Sequence, residues 1–208
     1  GCVEQTLSKF LPTVIAAETM KKIGRRDPEL ERVLPDMVKA GLESLQNFQR
    51  SDGGWGWWED ESSPYTTAYV IYGLTHAARA GYPADPVMLQ RGIDSLKSQF
   101  DRVYAASLQK TPDQAPFADL TQMSYMLYAL SLNGVNDQNK LIDMYNKRVK
   151  MTVYGRSLLA LALYESGNRA QADKMTDEII KRSDLFKGMR SWKAAEGWGW
   201  ENSSTEAS

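Results

Sequence analysis

Leu45-Gln46-Asn47-Phe48-Gln49-Arg50-Ser51-Asp52-Gly53-Gly54-Trp55-Gly56 is the stretch whose reading decides the fold. Before it, Met37, Val38, Leu42, Leu45 and Phe48 recur at helical spacing, so a helix runs to about Gln49. The glycines then supply turn conformations closed to other residues, and Trp55 packs back across the helix ends. A glutamine side chain here can bond the orphan backbone groups of helix termini. Nothing in the stretch is a nucleophile or a poised base, so it reads as a structural device.

Working outward, helix signals are dense and strand signals nearly absent. Thr6 to Ile23 is predicted helical, with Leu7, Phe10, Leu11, Val14 and Ile15 on one face. Pro28 and Pro35 mark a helix start, and the helix runs on from about Pro35. Pro64 opens a helix through Tyr65–Ala78 with little polar face. Further helices fit Asp85–Phe100, Asp119–Leu132, Gln138–Arg148, Thr152–Ser166 and Arg169–Ser183, with Gly81, Gly134, Gly167 and Gly188 between them. Apolar helices alternate with amphipathic ones, which implies a two-layer, all-α array of helical hairpins. Gly197-Trp198-Gly199-Trp200 echoes Gly54-Trp55-Gly56-Trp57 but is followed by only eight residues. A repeat that announces a helix and then stops predicts that residues 1–208 are one domain truncated at its C-terminal end.

Composition narrows the chemistry. The 208 residues carry 25 Lys and Arg against 26 Asp and Glu, so there is no basic field for nucleic acid. One cysteine cannot make an internal disulfide, and with one histidine it argues against a protein-only zinc site. No apolar run approaches a transmembrane span, so direct membrane insertion by this domain is not expected. No cofactor is implied.

The glutamine–tryptophan stretch resembles the repeats of terpenoid cyclases and protein prenyltransferases, whose fold is an α/α toroid of helical hairpins. That resemblance implies the toroid without choosing a function. A cyclase needs an aspartate-rich acid motif of the D-x-D-D kind, and none is present. A prenyltransferase needs Asp, Cys and His around zinc, but His76 is the sole histidine and stands far from Cys2 in sequence. His76 ends an apolar helix, where a structural role is expected.

Gly1-Cys2-Val3-Glu4-Gln5-Thr6 carries the chemistry. Cys2 and Gln5 stand at i and i+3, on one face of a helical turn. A thiolate reaching the glutamine carboxamide can displace ammonia and leave an internal thioester, an acyl group activated toward amines and hydroxyls. Such a bond is useful only while water is kept away. The plain alternative is a free cysteine at a frayed terminus. Four specified residues of the form Gly-Cys-x-Glu-Gln arise by chance in about one chain in a thousand at average usage.

This motif is similar to the G-C-x-E-Q thioester site of the alpha-macroglobulin and complement family, whose thioester domain is the same toroid. The resemblance extends through Asp52-Gly53-Gly54 into Thr66-Thr67-Ala68-Tyr69-Val70, through Leu120–Tyr125, and to Ser204-Thr205-Glu206-Ala207-Ser208. The version followed by Ser8-Lys9-Phe10-Leu11-Pro12 looks bacterial. It implies that Cys2 supplies the sulfur and Gln5 the acyl carbon, with Glu4 shaping the turn and Gly1 permitting its backbone conformation. Complement members use a downstream histidine to speed transfer to hydroxyls. The corresponding stretch, Gln99 to Asp119, offers Tyr104, Lys110, Asp113 and Asp119 instead, so direct attack by amines is expected and Tyr104 is a candidate shield. The resemblance further implies a protease inhibitor of the cell envelope or periplasm. There, cleavage of a bait region elsewhere lets the domain capture a protease covalently, in a single turnover, beside neighbouring macroglobulin domains. The rival reading is a helical scaffold or protein-binding domain with no formed thioester.

Overall fold

In the computed structural model, residues 2–57, 61–109, 117–186 and 188–192 are described. Among these residues eight α-helices follow one another: α1 Val3–Lys22, α2 Pro28–Phe48, α3 Pro64–Ala80, α4 Pro86–Leu108, α5 Phe117–Ser131, α6 Gln138–Lys147, α7 Val153–Glu165 and α8 Arg169–Lys181. A 3-10 turn, Arg148–Lys150, precedes α7. After α8 comes a two-stranded antiparallel hairpin, β1 Asp184–Phe186 and β2 Met189–Ser191, with Leu185 opposite Arg190. The chain divides into two compact units, residues 1–99 and 100–208.

Several boundaries differ from those the sequence predicts. Helix α1 starts at Val3, not Thr6, because Cys2 takes an extended N-cap conformation and Gln5 stands at N3. Asp27 caps α2 through the N–H groups of Glu29 and Leu30, and Pro28 sits in the first turn where its missing N–H costs nothing. The helix then runs through Pro35, held by buried Leu34, Val38, Gly41 and Leu45. Helix α4 continues eight residues past Phe100 to Leu108, since neither glycine nor proline interrupts it there. Tyr104 therefore lies on a helix and not in a long connection. The hairpin was not predicted, because its short strands are exposed and lack an apolar face.

In the first unit, α1 packs against α2 and α3. Leu7 and Val14 of α1 meet a core that includes Val38, Leu45, Ile71, Leu74 and Leu96, all with no exposed surface. Gly73 permits the close approach, since a Cβ there would lie 2.7 Å from Leu7 Cδ2. The glutamine–tryptophan stretch joins three helices, as its residue types suggest. Trp55 is wholly buried and its indole N–H donates to Leu45 O at 2.8 Å. Gln49 Nε2 donates to Gly53 O at 2.9 Å and to Met88 O at 2.8 Å, tying the end of α2 to the start of α4. Gly53 has φ +83°, and a Cβ there would stand 2.4 Å from Arg91 O, so both backbone and space demand glycine.

In the second unit, α7 packs against α5, α6 and α8. Thr121 and Thr152 bond at 3.2 Å beside Gly155, where a Cβ would come within 2.9 Å of Thr121 Oγ1. Met123, Met126, Leu141, Met144 and Leu159 fill the interior. The predicted alternation holds: α3, α5 and α7 are the buried helices, while α8 buries only Ala172 and Met175. The Gly197–Trp200 repeat lies outside the described residues, as do Lys110 and Asp113.

Candidate functional site

The Cys-x-x-Gln turn is built by the helix start itself. Every helix leaves its first N–H groups without partners, and a side chain at N3 can reach back to the N-cap. Gln5 does so: its Oε1 accepts from the Cys2 N–H at 3.3 Å. The arrangement is a capping box in which the thiol approaches the Gln5 N–H without making a full cap hydrogen bond of its own. The Cys2 carbonyl accepts from the Thr6 N–H and from Thr6 Oγ1, each at 3.0 Å. The turn is thereby fixed at both of its backbone groups.

Burial sorts the motif into an anchor and a working face. Val3 is 4% exposed and docks the turn into the core with Leu7 below it. Cys2 is half-buried, a free thiol, while Glu4 and Gln5 are exposed. The capping box places the Gln5 carboxamide and the Cys2 thiol on the same turn, with the carboxamide oxygen already held by a backbone N–H. That donor polarises the carbonyl that a thiolate would attack. Gly1 lies outside the described residues.

Two features of the surroundings were not read from the sequence. Tyr69 of α3 has its phenol pushed up, by burial first and by the negative charge of Glu4 second, so α3 borders the motif from one side. A cavity of 320 Å³ opens on the other side, between α1 and α2, lined by Gln5, Thr6 and Lys9 with Met37, Gly41 and Ser44. Helical spacing links Lys9 to Gln5 and Tyr65 to Tyr69, but the α2 wall comes from packing across more than thirty residues. A larger cavity, 490 Å³, lies at the far end of α1 around Met20, Arg26 and Tyr82, away from the thiol.

The two other titratable candidates are already engaged. His76 Nδ1 meets Glu18 Oε2 at 2.5 Å, and Tyr72 packs edge-on against its ring at 4.4 Å. It is therefore a structural histidine joining α3 to α1. Tyr104 donates to Asp143 Oδ2 at 2.7 Å, stacks on Phe100 at 5.8 Å, and carries Lys140 and Lys147 over its ring. Burial first and the Asp143 bond second push its phenol up to about 12. It stays protonated at neutral pH and offers no base. Among the described residues no group of three or more His, Cys, Asp or Glu is arranged to hold a metal. No helix among them is long and apolar enough to cross a membrane.

Eight helices, a buried tryptophan fastening helix ends and a Cys–Gln capping turn define an all-α domain of the α/α toroid class. The A-macroglobulin TED domain family matches residues 1–102. The likeness to this family rests on that segment, just under half of the chain. It is 42% identical over 98 residues to an alpha-2-macroglobulin of Thermotoga maritima, covering 47% of this chain and 6% of that protein. It is 25% identical over 142 residues to the thioester-containing protein 1 allele R1 of Anopheles gambiae, covering 65% and 10% respectively. The chain thus spans a tenth or less of the length of these relatives. Among solved structures, trypsin-activated alpha-2-macroglobulin of Escherichia coli aligns with TM-score 0.67 at 22% identity, covering 87% of this chain and 13% of that one. A Salmonella alpha-2-macroglobulin reacted with methylamine aligns with TM-score 0.67 at 20% identity, covering 90% and 12%. These likenesses reach beyond residues 1–102 and give the fold of most of the chain.

Proposed function

We propose that Cys2 and Gln5 close an internal thioester and that this domain is the covalent-capture reagent of a macroglobulin-type protease inhibitor. The observation that carries the reading is the capping turn, in which the Gln5 carboxamide sits at the Cys2 N–H, 3.3 Å away, with the thiol on the same turn. Closure displaces ammonia from Gln5 and leaves its acyl carbon on sulfur. Glu4 and Gly1 shape the turn, and both compact units belong to one thioester domain.

In this reading, a protease cleaves a bait region elsewhere in the protein, neighbouring macroglobulin domains rearrange, and the acyl group is exposed. An amine of the protease then attacks and is held through an amide, once per molecule. Among the described residues, neither His76, bound to Glu18, nor Tyr104, which is protonated, serves as a base like the complement histidine. Amines are therefore preferred to hydroxyls. Trypsin activation of the Escherichia coli relative and methylamine reaction of the Salmonella one support the reading. The likeness to bacterial alpha-2-macroglobulins supports a periplasmic or envelope location.

Intact mass of the native protein tests this. The thioester leaves the protein one ammonia lighter than its sequence, and methylamine adds at Gln5 while a thiol becomes titratable. Full sequence mass with a free thiol from the outset would establish the scaffold reading instead.

A further inference from the structure

Lys9 stands four residues after Gln5 on α1, and both line the 320 Å³ cavity between α1 and α2. Residues at this spacing lie about 5–6 Å apart at Cβ on one helix face. Helical side chains lean toward the N-terminus, so the Lys9 stem leans toward Gln5 as Gln5 leans toward Cys2. Its amine has no ion-pair or hydrogen-bond partner among the described residues, unlike Lys22, Lys140 and Lys147, which hold carboxylates. Neighbouring hydroxyls are less available: Thr6 Oγ1 donates to Cys2 O and Ser8 Oγ to Gln5 O. The wall opposite is Met37, Gly41 and Ser44, with no carboxylate to hold the amine.

We infer that Lys9 is an internal acyl acceptor that ends the reactive life of the Cys2–Gln5 thioester when no target amine arrives. The inference rests on the thioester reading above. The neutral Lys9 Nζ attacks Gln5 Cδ, the carbon–sulfur bond breaks, and Cys2 leaves as thiolate, which takes up the proton lost by nitrogen. Thioester and amine become amide and thiol, with no water consumed and no change of oxidation state. The product is a side-chain bridge over one helical turn from Gln5 to Lys9.

Native protein is first shown to take up methylamine at Gln5; failure at this stage removes the thioester reading itself. A second sample is activated by protease with no amine added, separated from conjugates, alkylated and mapped by tandem mass spectrometry. The inference expects the peptide holding residues 1–21 to remain one ammonia short, uncleaved after Lys9, bridged between Gln5 and Lys9, and alkylated at Cys2. In Lys9→Arg, the same peptide is expected to carry glutamate at position 5 by hydrolysis, and conjugation to added protein amines is expected to rise severalfold. Methylamine uptake with only hydrolysed Gln5 in the wild type overturns the inference. So does an ammonia-deficient, thiol-free-to-alkylate product that persists in Lys9→Arg.

Discussion

Glu18 of α1 and His76 of α3, 58 residues apart, share a hydrogen bond of 2.5 Å, with Glu18 only 4% exposed. The other carboxylate oxygen faces Lys22 Nζ at 2.6 Å. This pair fastens the helix that carries Cys2 and Gln5 to the buried helix of its own unit. Removing one partner of a buried pair strands the other, so Glu18→Ala is expected to destabilise by about 3 kcal/mol. Glu18→Gln, which keeps an acceptor for Nδ1, should lose less. Urea unfolding of both variants checks the order.

The same pair gives an acid dependence with a definite sign. Burial alone would raise the Glu18 carboxyl, but hydrogen bonds from Lys22 and His76 outweigh it and hold the group below its ordinary 4.5. A depressed carboxyl contributes stability that is complete above the unfolded value and is lost as pH falls through the folded one. Tyr72 and Arg79 also face this site. The stability advantage of wild type over Glu18→Gln should therefore hold from neutral pH to about 5 and shrink below it. Thermal melts taken across that range would detect a constant difference if the carboxylate plays no part.

Trp55 is the largest wholly buried side chain, and its ring meets Gly92 so closely that a Cβ there would stand 2.7 Å from it. Trp55→Ala is expected to cost about 3–5 kcal/mol from the cavity left behind. Trp55→Phe should cost less, yet it still orphans the Leu45 carbonyl that the indole N–H satisfies. Denaturant midpoints of the two variants separate packing from the hydrogen bond.

Residues with one strong physical preference were legible in the sequence. Gln49, Gly53 and Trp55 had few other tasks open to them, and the structure shows that turn as read. Pro28 and Pro64, read as helix starts, are the first residues of their helices, and the structure adds Asp27 and Ser63 as the caps. Cys2 was not legible as an N-cap, because a thiol is a weak acceptor and only the reach of Gln5 completes the turn. The run of α4 past Phe100 was missed because the apolar spacing fades there while helix-forming residues continue. The cavity beside Gln5 could not be read from either helix alone. It depends on how Met37 and Gly41 of α2 lie against α1, which is a matter of tertiary packing.

Tyr104 separates packing from proton transfer. Its phenol, pushed up to about 12, neither accepts nor releases a proton between pH 7 and 9. Tyr104→Phe should keep the ring on Phe100, lose the Asp143 bond at a cost of about 1 kcal/mol, and leave the pH profile of methylamine uptake unchanged. An altered pH profile in the phenylalanine variant would assign the hydroxyl a chemical role.

Gln5→Glu isolates the chemistry of the motif from its contribution to folding. Glutamate at N3 still reaches the Cys2 N–H, and its charge suits the positive end of the helix dipole, so α1 should start at the same residue with equal or greater stability. What changes is the leaving group. A carboxylate repels the attacking thiolate and has no ammonia to surrender, so the thioester does not close. The variant should show its full sequence mass, a titratable Cys2 thiol before any activation, no methylamine uptake and a melting temperature no lower than that of wild type. A loss of stability as large as that of Gln5→Ala would instead mean that the carboxamide serves the helix start in a way a carboxylate cannot.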